Sequence, residues 1–519
     1  MKTNIFSIGI FLFLIGIVMN GCMKQESTQF LAENSELTFP SPFAIAIDDM
    51  GWMGGGSLKA VNGPSRLGLK RDLTASDYQA VIDIAKGAGI RLQGLFILCE
   101  LDRSNVCATV PTSTQFGSQW DNSRYIGEEQ IRIMDLVKSN AAYLEFGLHG
   151  VGHEFWQDGI MHRAEWYNTD KNHPWDERDI RNHLELFKEI MAQYGLTPEN
   201  GHSFPESFVP CAYSYYWNPS AEPYSLGKLL NAEGVRFANT LFSYITELNP
   251  PEAKSGGFDN GVLVIDRYNH GNPWYEPASL PRDAIDDFQT DMIETHFANL
   301  LATDDFLQPA LNEKWIAFFK EVQLNPGKYL AKNTEQFYSQ WILKRYVNIE
   351  KLGPYKLQID TRNIPAWAYE SGFITNMVLK APLLPNEVIS KATVNGKEIP
   401  ACIVDEGYAM LYLPYLESGV HVFEMEKGTQ WQEGLVMHDG TYNVYGSSIT
   451  SSQLIFDLRV YGEQAIRVAT SHIPKSIKSS NTNMSVKYLG YDSDKMELTF
   501  LITARDIQGE TGTITVDLH

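Results

Sequence analysis

The sequence predicts an α/β protein: a seven-stranded (β/α) barrel followed by one or two C-terminal β-sandwich modules. Three observations predict it. From Phe43 to Thr295, seven short apolar runs alternate with helical patterns, an order that pairs strands in parallel and places helices outside. After "NTEQFYSQWILKRYVNIE" the texture changes to short alternating strands with hairpin signals. The length of 519 residues suits two to four domains at roughly 150 residues each. A doubly wound open sheet is the competing arrangement for the first part.

The chain begins with a segment that is not part of the fold. Lys2 precedes an uncharged run from Ile5 to Val18, shorter than the roughly 20 residues a membrane-spanning helix needs and suited to the apolar core of a signal peptide. "MNGC" then looks like a bacterial lipoprotein signal. Residues 1–21 would be removed, Cys22 lipidated, and residues 22–39 left as a polar tether. An ordinary signal peptide with a chance cysteine is the alternative. No other run of 18 or more apolar residues follows.

The barrel is expected over residues 40–350. Phe43–Ile47 reads as its first strand. In "LTASDYQAVIDIAKGAG", Tyr78, Val81, Ile82 and Ala85 recur at helical spacing until Gly87 and Gly89 stop the helix. Arg91–Leu98 is the second strand, "GEEQIRIMDLVKSN" the second helix and Tyr143–Leu148 the third strand. In "DERDIRNHLELFKEIMAQYG", Ile180, Leu184, Phe187 and Met191 make one face and Gly195 caps the end. Further strands are expected at Ser203–Val209, Val235–Asn239, Val262–Ile265 and Met292–Thr295. "KLGP" at Lys351–Pro354 marks a boundary. Modules are expected over 351–430, where Asn395-Gly396 is a favoured two-residue hairpin turn, and over 431–519.

The formal charge of -21 argues against nucleic acid or an anionic membrane surface as partner, so the membrane is touched only through the N-terminal lipid. Of five cysteines, Cys99 and Cys107 could close a small loop in an oxidising envelope, or could be free thiols. The absence of any CxxC pair argues against a cysteine zinc site.

In parallel β/α folds the carboxyl ends of the strands carry the chemistry. Strand one ends in Asp48 and Asp49, and two adjacent buried carboxylates need a positive neighbour. Strand three runs into "HGVGH". His149 and His153, at i and i+4, would share one face of a helical turn and could share one metal, unless they are merely surface or capping residues. Two histidines and one aspartate leave positions open, as in a catalytic zinc site.

The "IDD" end of strand one and the HxxxH after strand three resemble the first two motifs of the polysaccharide deacetylases, carbohydrate esterase family 4, over about Phe43–Ile349. That resemblance implies a deacetylase-type barrel in which Asp48 is the general base while Asp49, His149 and His153 hold a divalent metal, zinc first. "SFVPCAY" stands where the family's third motif falls, with Val209 in place of a basic residue and Tyr213 displaced. Arg267, in "VIDRYNHGNPW", is the candidate substitute. "MIETHFAN" matches the final motif and makes His296 the general acid, with Glu294 where the family has leucine. The implied reaction is metal-assisted hydrolysis of an acetamide or acetyl ester on a carbohydrate, with an oxyanion-hole amide near Tyr213.

Trp156, Trp166, Trp175, Tyr215, Trp217 and Trp274 crowd the loops, either as faces for sugar rings or as loop core. Gly54, Gly55 and Gly56 suit a flap or a close approach. The expectation is a carbohydrate deacetylase tethered by lipid in a Gram-negative cell envelope, at the outer membrane. A glycan-binding lipoprotein with decayed catalysis is the alternative. A glycosidase is disfavoured because adjacent strand residues point to opposite faces.

Overall fold

The computed structural model describes residues 36–56, 66–218, 224–242, 256–273, 276–405, 407–437 and 439–519. Cys22 with the expected signal peptide, most of the tether, and Trp274 lie outside them. Among the described residues no helix is long and apolar enough to cross a membrane.

Seven strands close into a parallel barrel: β1 (Ser41–Met50), β2 (Leu92–Ile97), β3 (Leu144–Gly150), β4 (Ser207–Phe208), β5 (Phe237–Thr240), β6 (Val262–Tyr268) and β7 (Met292–His296). Each pairs with the next, and β7 returns to β1 with Asp48 opposite His296. The closed barrel, not the open sheet, is therefore the arrangement. The strands are buried on both faces, which is why they read as apolar runs rather than alternating ones.

Helices are fewer than the alternation predicts. α1 (Ala75–Ala88), α2 (Glu128–Ser139), α3 (Glu177–Ala192) and α4 (Leu226–Glu233) follow β1 to β4, and α5 (Gln308–Leu324) follows β7. Among the described residues no α-helix joins β5 to β6 or β6 to β7. An antiparallel strand, Gly256–Asp259, precedes β6, and a 3₁₀ turn at Ile285–Asp287 precedes β7. α1 begins in a capping box between Thr74 and Asp77 and ends at Gly89 in the left-handed conformation. β4 is only two residues long because Pro205 and Pro210 bracket it, and proline cannot donate to a ladder.

One further helix, α6 (Thr334–Tyr346), joins the barrel to the C-terminal sheets. Residues 334–343 are all buried although several are polar, and their polar groups find partners. Thr334 donates to Glu145 (2.5 Å), Tyr338 to the Ala238 carbonyl (2.9 Å), and Gln340 to the carbonyls of Pro40 and Val378. Glu335 accepts from Arg459 and Tyr445, both at 2.7 Å. A helix buried all round needs this pairing, and it makes barrel and C-terminal sheets one packed body.

The C-terminal half holds sheets of five, seven and four strands. They do not divide at residue 430. Ala401–Asp405 pairs with Val436–Met437, which pairs with Glu463–Ala469, so one seven-stranded sheet runs through both expected modules. The first sheet's edge strand, Asn348–Gly353, likewise crosses the expected boundary at 351. The Asn395-Gly396 turn forms as expected, both residues at positive φ.

Inside the barrel Arg91 is paired with Glu145 (2.9 Å), and Glu145 also accepts from Ser207 and Thr334. Glu145→Ala would leave a buried guanidinium without its counter-charge. A loss of about 3–5 kcal/mol is expected, read as a lower urea midpoint of the tryptophan fluorescence transition.

Candidate metal centre

The pleat rule fails at the end of β1, and that failure builds the site. The β1–β2 register shifts between Ile47 and Met50, and Asp49 adopts φ 63°. This bulge turns the second carboxylate into the space the first one faces. The expectation that the two carboxylates point to opposite faces is thereby corrected: Asp48 and Asp49 serve one centre. Both are buried, at 2% and 3% exposure.

Asp48 is clamped by Arg267. Nη1 lies 2.8 Å from Oδ1 and Nη2 2.5 Å from Oδ2, a two-pronged pair with a guanidinium that has no exposed surface. Burial alone would raise the Asp48 carboxyl. The Arg267 charge and hydrogen bonds, helped by His149 and His296, outweigh it and hold the group below the usual carboxylate range. The substitute arginine expected at the end of a later strand thus does meet Asp48.

Asp49 faces the histidines. Its Oδ1 lies 3.4 Å from His149 Nε2 and 3.8 Å from His153 Nε2, and this buried oxygen has no hydrogen-bond donor among the described residues. Burial works against its charge, but His149, His153 and His296 overcome it and depress the carboxyl strongly. His149 is shifted the other way: burial opposes its charged form, yet Asp48 and Asp49 raise its pKa. One arginine facing two buried carboxylates leaves a negative charge that calls for a cation at this point.

The imidazoles are oriented for that role. His149 Nδ1 is 2.8 Å from the Val209 carbonyl, and His153 Nδ1 is 2.8 Å from Glu154 Oε1. Each Nδ1–H is thus committed to an oxygen, which leaves Nε2 of both rings as the acceptor facing Asp49, the usual arrangement behind a metal-ligating histidine. Val209, which stands in place of a basic residue, contributes through its backbone.

The histidines do not share a helical turn. His149 belongs to β3, and His153 sits at φ 72° in the bend that follows. Glu165 makes this bend. Its carboxylate has no exposed surface and accepts from the amides of Val151, Gly152 and His153 at 2.9–3.2 Å, and from His183 Nδ1 at 2.8 Å. The glycines of "HGVGH" follow from that packing. A Cβ on Gly150 would lie 2.3 Å from Glu165 Oε2, and one on Gly152 would lie 1.7 Å from the Ser113 carbonyl oxygen. Glu165 carries no signal in the sequence, because it arrives from a loop beyond a short hairpin. Glu154 does carry one, since it directly follows His153.

A further residue joins the group. His149, His153 and Cys211 are buried with ligand atoms within 4.8 Å of one another, so this trio could hold a metal ion. Cys211 Sγ is 3.3 Å from the His149 carbonyl, and burial pushes its thiol pKa well up. The four described cysteines, Cys99 and Cys107 included, are free and buried, so the loop disulfide does not form.

His296 lies on the other side of Asp48, Nε2 4.0 Å from Oδ2, with Nδ1 3.8 Å from Glu294 Oε1. Glu294 accepts from the Tyr213 hydroxyl at 2.5 Å, and the Tyr213 ring packs 5.7 Å from the Arg267 guanidinium. Tyr213 thus acts through its hydroxyl. Its own amide donates to the Pro210 carbonyl at 3.2 Å. Of the loop aromatics, Trp166 and Tyr215 have no exposed surface and Trp217 is buried, while Trp175 stacks on Phe155 at 3.8 Å. They are loop core, and Trp166 supports the site by donating to the His149 carbonyl (2.8 Å).

Comparison of the chain with protein-family models, with curated proteins and with solved structures finds no match in any of the three.

Asp48's lowered pKa fixes a pH dependence. Its ionised form contributes stability above the unfolded value of about 3.9, and that contribution is lost as pH falls through the lower folded value. Arg267→Met leaves Asp48 buried without its partner. At pH 7 a loss of about 3–5 kcal/mol is expected in urea unfolding, and the gap to wild type should narrow in acid as Asp48 protonates in both proteins.

Proposed function

We propose that the protein is a metal-dependent hydrolase of the polysaccharide-deacetylase type, removing acetyl groups from a carbohydrate. Asp49, His149 and His153 would hold a divalent ion, zinc first, with Asp48 as general base and His296 as general acid. The observation that carries this reading is the unpartnered Asp49 Oδ1 facing two Nε2 atoms whose opposite ring nitrogens are already committed. Nitrogen and carboxylate donors of this kind fit zinc and its neighbours in the first transition row.

When bound, such an ion would supply Lewis acidity, lowering the pKa of coordinated water toward about 7 and polarising an acyl carbonyl. The chain's own residues supply the proton traffic. Asp48, kept ionised by Arg267, is one residue from the proposed ligand and has the charge state of a proton acceptor. His296 approaches from the adjacent strand, beside Glu294, where it can deliver a proton to the departing amine or alcohol. Arg267 takes the orienting role that the family's third motif would otherwise fill, which speaks for a working rather than a decayed site. The bulge at Asp49 removes the opposite-faces objection to a glycosidase, but that reading lacks support for another reason: it needs one carboxyl held protonated, and both aspartates here are depressed.

The anchor and envelope location rest on the N-terminal sequence alone, as does the carbohydrate partner on the family resemblance. The test is direct. Purified chain should carry about one equivalent of zinc-like metal by elemental analysis and release acetate from an acetylated glycan panel. Asp48→Asn should keep the metal and lose activity by about 10²–10⁴-fold. His149→Ala should lose the metal. Metal without acetate release from any glycan in the panel would overturn the hydrolase reading. Because protons compete for the imidazoles, metal retention in a chelator competition should fall as the pH is lowered.

A further inference from the structure

A cavity of about 610 Å³ opens where three connections of the C-terminal sheets meet. That volume falls within the about 300–1,000 Å³ typical of small-molecule sites. Gln430, Trp431 and Glu433 follow the strand Val420–Gly428, and Ser471 follows Glu463–Ala469. Asp494 and Met496 lie in the hairpin between Met484–Asp492 and Glu497–Ala504. The cavity is remote from the candidate metal centre. Gly462, just before Glu463–Ala469, packs on Ala141 and Ala142, which precede β3, whereas His149 stands near the other end of β3. From that contact the strand runs roughly 20 Å to the cavity, at about 3.3 Å per residue.

The walls hold their shape through the chain's own bonds. Both carboxylate oxygens of Glu433 accept from the Ser471 amide at 3.0 Å, and the Thr470 amide donates to the Met496 carbonyl at 2.8 Å, which ties the three connections together. Gln432, beside Trp431, is buried and paired at both ends of its side chain, accepting from the Ala392 amide at 2.7 Å and donating to the Ile399 carbonyl at 3.1 Å. Trp431 is thereby fixed, half-buried, on the cavity wall. The groups that face the space are not used in this bonding. The Trp431 indole N–H and the side chains of Gln430 and Asp494 make no hydrogen bond among the described residues, and Gln430 and Asp494 are exposed, within reach of a ligand.

We propose that this cavity is a second binding site, for a neutral saccharide, separate from the barrel mouth. The assignment goes beyond the hydrolase reading and stands whether or not the metal centre hydrolyses anything. It is carried by the mixture of groups on the wall. Trp431 and the 46% exposed Met496 offer apolar surface of the kind that covers the C–H face of a sugar ring. The indole N–H needs an acceptor, the Asp494 carboxylate needs a donor, and the Gln430 amide takes both. Hydroxyl groups supply donor and acceptor from one ligand. A purely apolar ligand would leave these groups unmet. An anion would face Glu433 and Asp494, and the one lysine on the wall, Lys495, already lies 3.3 Å from Asp492. A cation would have no use for the indole donor, and Glu433 is occupied by the Ser471 amide.

The test is calorimetric titration of the full chain, purified in detergent, with the hexasaccharides of cellulose, xylan, mannan and amylose. Hexagalacturonate serves as the acidic probe and the glucosamine hexamer as the cationic one. At least one neutral hexasaccharide should bind, and more tightly than either charged probe. Gln430→Ala combined with Asp494→Ala changes only exposed positions, which keeps folding out of question, and should weaken that binding tenfold or more. Trp431→Phe keeps a ring but removes the N–H and should weaken it as well. His149→Ala, at the remote metal centre, should bind as the wild type does. Absence of neutral binding, tighter binding of a charged probe, or unchanged affinity in the double variant would overturn the site. Loss of binding in His149→Ala would overturn it too, by moving the saccharide to the barrel mouth.

Discussion

The structure depends on an uncompensated negative charge at the end of one strand. Two carboxylates enter the barrel mouth side by side, and only one of them, Asp48, is matched by an arginine. Asp49 is left with a buried oxygen facing two imidazoles. Burying an ion without a counter-ion is so costly that a fold tolerates it only where something else supplies the charge. A protonated imidazole or a metal ion can do so. The commitment of both Nδ1 atoms to the Val209 carbonyl and the Glu154 carboxylate turns both Nε2 atoms toward Asp49, an orientation that a metal ion could use.

The surroundings hold that charge pattern in place. Glu165 gathers three amides of the bend between the histidines, and Trp166 fixes the carbonyl of His149. Arg267 comes from β6 and His296 from β7, so the closure of the barrel is what brings Arg267 and His296 to Asp48. Below them α6 fills the other end of the barrel and ties it to the C-terminal sheets through Glu335 and Gln336. The β-rich half is thus part of the same packed body, which gives the site a rigid base.

Much of this was legible in the sequence, and the gaps have physical causes. The seven apolar runs point to the barrel because strands buried on both faces lose their alternation. Asp48, Asp49, His149, His153 and His296 stand out because a titratable group at the end of a buried strand is costly to keep unless it binds or reacts. The bulge at Asp49 was not legible. A left-handed aspartate carries no reliable signal, and a regular pleat would send its carboxylate to the opposite face. Nor was Glu165, whose importance lies in three amides contributed by other residues. The loop tryptophans, which the sequence leaves open between sugar faces and loop core, are loop core, because long loops over a barrel need a core of their own. The two-module division failed because a sheet can continue through a chain segment that looks like a linker.

The most direct measurement is anomalous diffraction from crystals of the metal-loaded chain, collected above and below the zinc absorption edge. The account predicts one peak, about 2.0–2.2 Å from Nε2 of His149, Nε2 of His153 and one carboxylate oxygen of Asp49. A density map without that peak, or a peak bound through Cys211 with Asp49 turned away, would contradict it.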